Sequence, residues 1–418
     1  MISIPPSASL QPRRHSLSNG RQLYCFPSDS TELVKIDLVS ESGSAYQSQP
    51  LCAAAANRLY TVAGGSMSAD ALSRFLDFRG IIVDSNNNAT HCSTSFYALR
   101  RHLHDLLPVL DALVHQPLFP EEDFQIYCRE RKQKIAAAQL RSADMARRLF
   151  YTALFGSRHP LGCYATPADA DALTLDAVKR HYAERHRPGD LDIVLSGHVD
   201  DALLATVDAF FGHDAPSADL PRASFAHSPL LPPTRLDMPI AGAVQTTVRV
   251  GRLLPVAWDD PDYARLMLLV TILGGYFGSR LMSNLREDKG YTYGIYARTQ
   301  IYRGAIVFYT SADVAGDVAD DAEREIMHEL QRLVDDPVPQ AELDLVRTVL
   351  AGDFLRSVDG IFERSARFVD MLGTDVTELL TDNLREALAT TTPSDLQRLA
   401  ATHLAPGLMT VCRAGKLG

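Results

Sequence analysis

The residues best placed to do chemistry in this sequence are gathered in one passage, Ile272 to Ile295 (ILGGYFGSRLMSNLREDKGYTYGI). Gly274, Gly275 and Gly278 break one helix, Ser279 can cap a second, and Gly290 after Lys289 supplies a left-handed stop. A strand then opens at Tyr291, and simple alternation puts Tyr291, Tyr293 and Ile295 on one face and Tyr296 on the other. A tight turn thus brings Arg286, near the helix end, close to Tyr293, at the strand start. A glycine cluster of this kind could also cradle a phosphate, but it lacks the Lys-Ser/Thr ending of a P-loop and does not match Gly-x-Gly-x-x-Gly. The bland alternatives are that Arg286 pairs with Glu287 or Asp288 and that Tyr293 joins Tyr291 in an aromatic strand face. Metal chemistry finds little elsewhere. No His-x-x-Glu-His or His-x-x-x-His is present, and His102 and His104, at alternate helix positions beside Arg100, Arg101 and Asp105, read as a solvated surface. His91 reads as structural. Cys25, Cys52, Cys92, Cys128, Cys163 and Cys412 lie far apart with no Cys-x-x-Cys, the pattern of dispersed free thiols.

The elements that must position Arg286 and Tyr293 belong to a chain that repeats itself. Thr174, Pro188 and Gly197 mark a helix start, a helix end and a strand end, and Thr392, Pro406 and Gly415 mark the same events 218 residues on (392 − 174, 406 − 188, 415 − 197). Phe119-Pro120-Glu121-Glu122 and Val338-Pro339-Gln340-Ala341 recur at a shift of 219 (339 − 120). A near-constant offset over so long a stretch indicates duplication. Strand-like alternation opens each half, at Leu33–Val39 and Gln245–Gly251. Long helical periodicity follows over Phe124–Phe150 and Pro339–Leu372. Residues 215–239, rich in proline around Ser228–Pro233, read as a linker between lobes at 1–214 and 240–418. Strands and helices mix without regular βαβ alternation. The expected class is therefore α+β, in two homologous lobes that each pack a mostly antiparallel sheet against helices.

With 418 residues the chain is longer than one core usually supports. Its net charge of −10 offers no field for a phosphate backbone, which argues against nucleic acid. The longest apolar run, Leu266–Leu273, is interrupted by Thr271 and is far shorter than the roughly 20 residues a membrane span needs. Met1–Ser30 lacks the apolar stretch of a signal peptide. A cytoplasmic protein is expected.

The stretch from Gly274 to Ile295 resembles the second-domain signature of the M16 zinc metallopeptidases, the pitrilysin, insulinase and mitochondrial-processing-peptidase group. In that family an arginine and a tyrosine seven positions apart assist catalysis, the separation of Arg286 and Tyr293 (293 − 286). Gly43–Gly65, Phe119–Leu140 and the turn His159-Pro160-Leu161-Gly162 extend the likeness. It implies two homologous lobes, pairs of which close like a clamshell around an extended peptide. Catalytic members carry His-x-x-Glu-His on a helix, two histidines for Zn²⁺ and a glutamate base, with a distal glutamate completing the ligands. Here Ala53 and Asn57 stand at the histidine positions, Ala56 at the base, and Ala137 at the distal glutamate. Alanine offers no donor, and an asparagine amide is a poor zinc ligand. No cofactor bound by this chain is therefore expected. The resemblance implies a non-catalytic subunit, with Arg286 and Tyr293 stabilising the oxyanion while a partner with intact His-x-x-Glu-His supplies zinc and base. Peptide would be held by strand addition to a sheet edge of the partner. The competing expectation is a scaffold or peptide-binding protein without proteolysis, self-associated as a homodimer in isolation.

Overall fold

The computed structural model describes residues 4–217 and 221–417. Its first half runs β1 (Arg13–Ser16), β2 (Gln22–Pro27), β3 (Leu33–Ser40), α1 (Cys52–Leu59), α2 (Ala69–Arg79), β4 (Ile82–Asn87) and β5 (Cys92–Leu99). It continues through α3 (Leu103–His115), α4 (Glu121–Gln139), α5 (Ser142–Phe155), α6 (Pro167–Ala172), α7 (Leu175–Arg185), β6 (Asp192–Gly197) and α8 (Asp201–Phe211). The second half runs β7 (Arg235–Pro239), β8 (Gln245–Leu254), α9 (Pro261–Gly274), a π-helical turn (Met282–Asp288), β9 (Thr292–Tyr302) and β10 (Ala305–Ala315). Then come α10 (Ala319–Asp335), α11 (Gln340–Ser357), α12 (Ile361–Thr374), α13 (Leu379–Thr390), α14 (Pro393–Leu399) and β11 (Thr410–Gly415). No described helix is long and apolar enough to cross a membrane.

The strands form two sheets of matching topology, ordered β1-β2-β6-β3-β5-β4 and β7-β11-β8-β10-β9. Among the described strands only the β2–β6 and β7–β11 pairs are parallel; the rest are antiparallel. Thr174 and Thr392, read from sequence as equivalent helix starts, both accept a backbone N–H three residues on. Each sheet has its own apolar layer, Leu23, Ile36, Phe96 and Leu195 in the first and Val248, Val250, Phe308 and Val411 in the second. The α+β class is what the sequence pattern implies.

Three local expectations are corrected. The periodicity over Phe124–Phe150 and Pro339–Leu372 is not one helix in either half. The chain breaks after Gln139, and again at Val358–Gly360, where Gly360 takes φ 135°. Apolar spacing continues across both breaks because the following helices are also buried, but on the other lobe's sheet. Helix α5 lays Phe150, Tyr151 and Leu154 into a cluster with Leu253, Val307 and Cys412 of the second sheet. Conversely, α12 sets Val369 against Phe26, Val39 and Val194 of the first, with the Phe368 ring 4.8 Å from that of Tyr24. Finally, residues 235–239 of the expected linker are strand β7, paired in parallel with β11, and Phe225 is buried within that segment. Five residues with proline at the end give too short an alternation to read.

A buried ion network joins the lobes. Arg303, 3% exposed in the β9–β10 turn, donates from Nη1 and Nη2 to the Glu41 carboxylate at 2.8 and 2.6 Å, and its Nε lies 3.0 Å from Asp375. Arg222 bridges the same two acids at 2.8 Å each, and Tyr46 donates to Glu41 at 2.7 Å. Burial pushes the Glu41 carboxyl up, but the bonds from Arg303, Tyr46 and Arg222 outweigh it and hold it below the usual range.

Candidate functional site

Glycine sets the position of the Arg286 turn. A Cβ at Gly274 would lie 2.5 Å from the Ala297 backbone nitrogen, so the end of α9 reaches β9 only because the side chain is absent. Ser279 does not cap the next turn as expected. It is fully buried and its hydroxyl has no hydrogen-bond partner among the described residues. What fixes the turn is charge: Arg280 donates to both Glu342 oxygens at 3.0 and 2.8 Å, and Asn284 donates to Glu325 and Glu329 at 3.0 and 2.7 Å. The turn is wound as a π-helix, a form that recurs at functional sites. Gly290 is left-handed at φ 65°, as expected, and the Tyr291 N–H closes back onto the Leu285 carbonyl at 2.8 Å.

Arg286 does not pair with Glu287 or Asp288. Among the described residues it forms no ion pair, and its guanidinium carbon sits 4.6 Å above the Phe277 ring, itself 61% exposed. Tyr293 is 92% exposed, and its expected face is corrected by a β-bulge. Ile295 faces Ala312 and Thr292 faces Val314, so Tyr293 and Gly294 together oppose Asp313 alone. The extra residue turns Tyr293 out to solvent and leaves Ile295 in the core. Thr292 pins the bulge, its hydroxyl reaching the Gly294 and Asp313 carbonyls at 2.9 and 2.8 Å. Tyr291 packs against the core rather than beside Tyr293. Tyr296 also reaches solvent, at 39%, with its ring 6.0 Å from Tyr309. Gly294 inside a strand was the signal that could have revealed the bulge.

Of the four positions read as a degenerate zinc site, the three on α1 are packed. On α1, Ala53 and Ala56 have no exposure and Asn57 has 3%. The Asn57 amide donates to the Asn86 and Ser93 carbonyls at 3.0 and 3.3 Å and accepts from the Thr94 hydroxyl at 3.3 Å. It holds β4 and β5. The neighbouring Cys52 thiol donates to the Ala177 carbonyl at 3.0 Å, and burial pushes its pKa up to about 11, so it is no thiolate ligand. Ala137, near the end of α4, is exposed and carries no donor atom. These residues do not fit a catalytic zinc ion. His102 and His104 lie at the surface, while His91 is buried against Gly373 of α12 and hydrogen-bonds Asn88 at 2.9 Å. His159 accepts the Leu161 N–H at 3.1 Å, the turn expected of His-Pro-x-Gly.

Residues 172–350 match the family model described as the Peptidase M16 inactive domain. Over that stretch the chain is similar to an M16 peptidase domain of the inactive type. Its overall fold is that of a solved peptidase M16 inactive domain from Pseudomonas fluorescens, with a TM-score of 0.83 at 20% identity, covering 97% of this chain and 98% of that one. Among curated sequences it is similar to an uncharacterised zinc protease of Streptomyces coelicolor, 26% identical over 68% of this chain and 63% of that protein. It is also similar to a probable inactive metalloprotease of Bacillus subtilis, 20% identical over 60% of each. The first relatives are matched over about half to two thirds of their own length.

Proposed function

We propose that this chain is the non-catalytic subunit of a heterodimeric M16-type zinc peptidase. One observation carries the reading: a bulge tied down by Thr292 holds the Tyr293 phenol out in solvent beside a turn whose arginine has no acid to neutralise it. A merely structural tyrosine would be packed, and Tyr293 is 92% exposed. In this role Tyr293 donates its O–H to the scissile carbonyl oxygen as negative charge develops, and Arg286 adds positive field or holds a substrate carbonyl. Zinc and the general base are assigned to the partner, because Ala53 and Ala56 present only methyl groups and Asn57 a fully engaged amide. This chain's contribution is to bind, orient and stabilise charge.

The test is reconstitution with an M16 chain that keeps His-x-x-Glu-His, found by co-purification or in a neighbouring reading frame. Alone, this chain should cleave no unstructured peptide even with Zn²⁺ added. In the complex, Arg286→Ala and Tyr293→Phe should leave folding intact and lower kcat by about 10²–10³-fold, the loss of one oxyanion donor. Full turnover by both variants, or by this chain alone, would sink the assignment.

A further inference from the structure

The structure points to a metal-binding site remote in sequence from the motif helix, and we propose that Asp111, His115, His213 and Asp214 bind a divalent transition-metal ion. Asp111 and His115 are one helical turn apart at the end of α3, and His213 and Asp214 follow α8. One ligand atom each from Asp111, His115 and His213 lies within 4.8 Å of the others, and the two imidazoles stack with centroids 5.5 Å apart. Asp214 adjoins both imidazoles, with Oδ2 2.9 Å from His115 Nε2 and Oδ1 3.9 Å from His213 Nε2.

Hydrogen bonding fixes the chemistry of the site. His115 Nδ1 lies 3.0 Å from the Asp111 carbonyl oxygen, which can only accept, so Nδ1 carries the hydrogen. In the neutral ring the Nε2 lone pair then faces the Asp214 carboxylate, two acceptors in contact. Something positive must lie between them, either a second proton on the ring or a metal ion. An imidazole that gives its Nδ1–H to a carbonyl and turns Nε2 toward a carboxylate has the arrangement that orients metal-ligating histidines. Asp111 Oδ1, shut off from solvent, lies 3.0 Å from the same Nδ1, so the Asp111 carbonyl oxygen and Oδ1 both face that nitrogen and fix the ring with Nε2 turned the other way. The turn itself is built, since the Asn19 amide donates to the Phe211 and Asp214 carbonyls at 3.0 and 2.9 Å.

Two imidazoles with two carboxylates suit Zn²⁺, Co²⁺ or Ni²⁺, whereas Ca²⁺ and Mg²⁺ prefer oxygen alone. The metal would enter with release of the shared proton and tie α3 to the segment after α8. The expectation of no bound metal rested on α1; this site uses none of its residues, and the inference is independent of the proposed subunit role.

The experiment strips the full-length chain with chelator and titrates it with Co²⁺ alone, following visible ligand-field absorption, then displaces it with Zn²⁺. Expected are one Co²⁺ per chain, displacement by Zn²⁺ and a raised melting temperature. His213→Ala, at a 60% exposed position that can lose its side chain without harm to the core, should weaken binding at least about tenfold, as should Asp111→Asn. No stoichiometric Co²⁺, or unchanged affinity in both variants, overturns the site and leaves His115 as an imidazolium between two acids.

Discussion

Glu41→Gln is the sharpest probe of how the two lobes are held together. The substitution keeps the shape of the side chain and removes its charge. Arg303, at 3% exposure, would then retain one opposite charge in direct contact, Asp375, whose side chain is 43% exposed, with the Ala223 and Leu372 carbonyls at 3.3 and 3.4 Å. Removing one partner of a buried pair costs about 3–5 kcal/mol, against about 0–1 for a pair in open solvent. Since Asp375 remains and Glu41 is itself 26% exposed, the lower end applies, about 3 kcal/mol. For a cooperative unit of 418 residues, at about 2.1 cal/mol/K per residue, that is a fall in Tm of about 3–4 °C. Calorimetry at pH 7 measures it, and pH supplies the control. The Glu41 carboxyl is held below its unfolded value of 4.5, so its contribution is complete above that pH and is lost as pH falls through the lower folded value. Wild type and variant should therefore converge in acid. A deficit below about 1 kcal/mol at pH 7, or one that persists undiminished in acid, would refute the idea that this pair acts as a buried lock.

The exchanged helix α12 offers a second test: a Cβ at Gly373 would fall 1.9 Å from the His91 ring, so Gly373→Ala should cost about 1–3 kcal/mol in urea denaturation, and much less when combined with His91→Ala. Thr292→Val removes the hydroxyl that ties the bulge; it should cost about 1 kcal/mol and, in the reconstituted complex, lower kcat with Tyr293 still present. Burial, with the nearby His181, lowers the pKa of His186 to about 3, and burial lowers that of His91 to about 4 despite the Glu41 carboxylate. The unfolded chain therefore takes up protons first, and stability should decline as pH drops below about 6.5, by about 1.4 kcal/mol per pH unit for each histidine, as read by denaturation at pH 7 and pH 5.

The fold class and the duplication were legible because they rest on local signals: Thr174 and Thr392 cap helices whatever surrounds them, and Pro188 and Pro406 end the following turn. The helix breaks after Gln139 and Ser357 were not, because apolar periodicity reports that a face is buried and not which sheet buries it. Arg286 and Tyr293 were singled out by a spacing of seven across Gly290, and the structure sets them on consecutive elements, the π-helical turn and β9. The face of Tyr293 was misread because one inserted residue inverts every later alternation. The Asp111, His115 and His213 cluster had no readable spacing, since its halves meet only when α3 packs beside α8.

The crossed packing of α5 and α12 bears on how such a chain could be divided. Neither sheet is covered on both faces by its own half of the sequence, so a fragment ending near residue 214 would show water both the bare strands that Val369 and Phe368 seal and the unclaimed side of Phe150 and Tyr151. The two sequence repeats are in effect a swapped dimer written on a single polypeptide. Each half finishes folding only in the presence of the other.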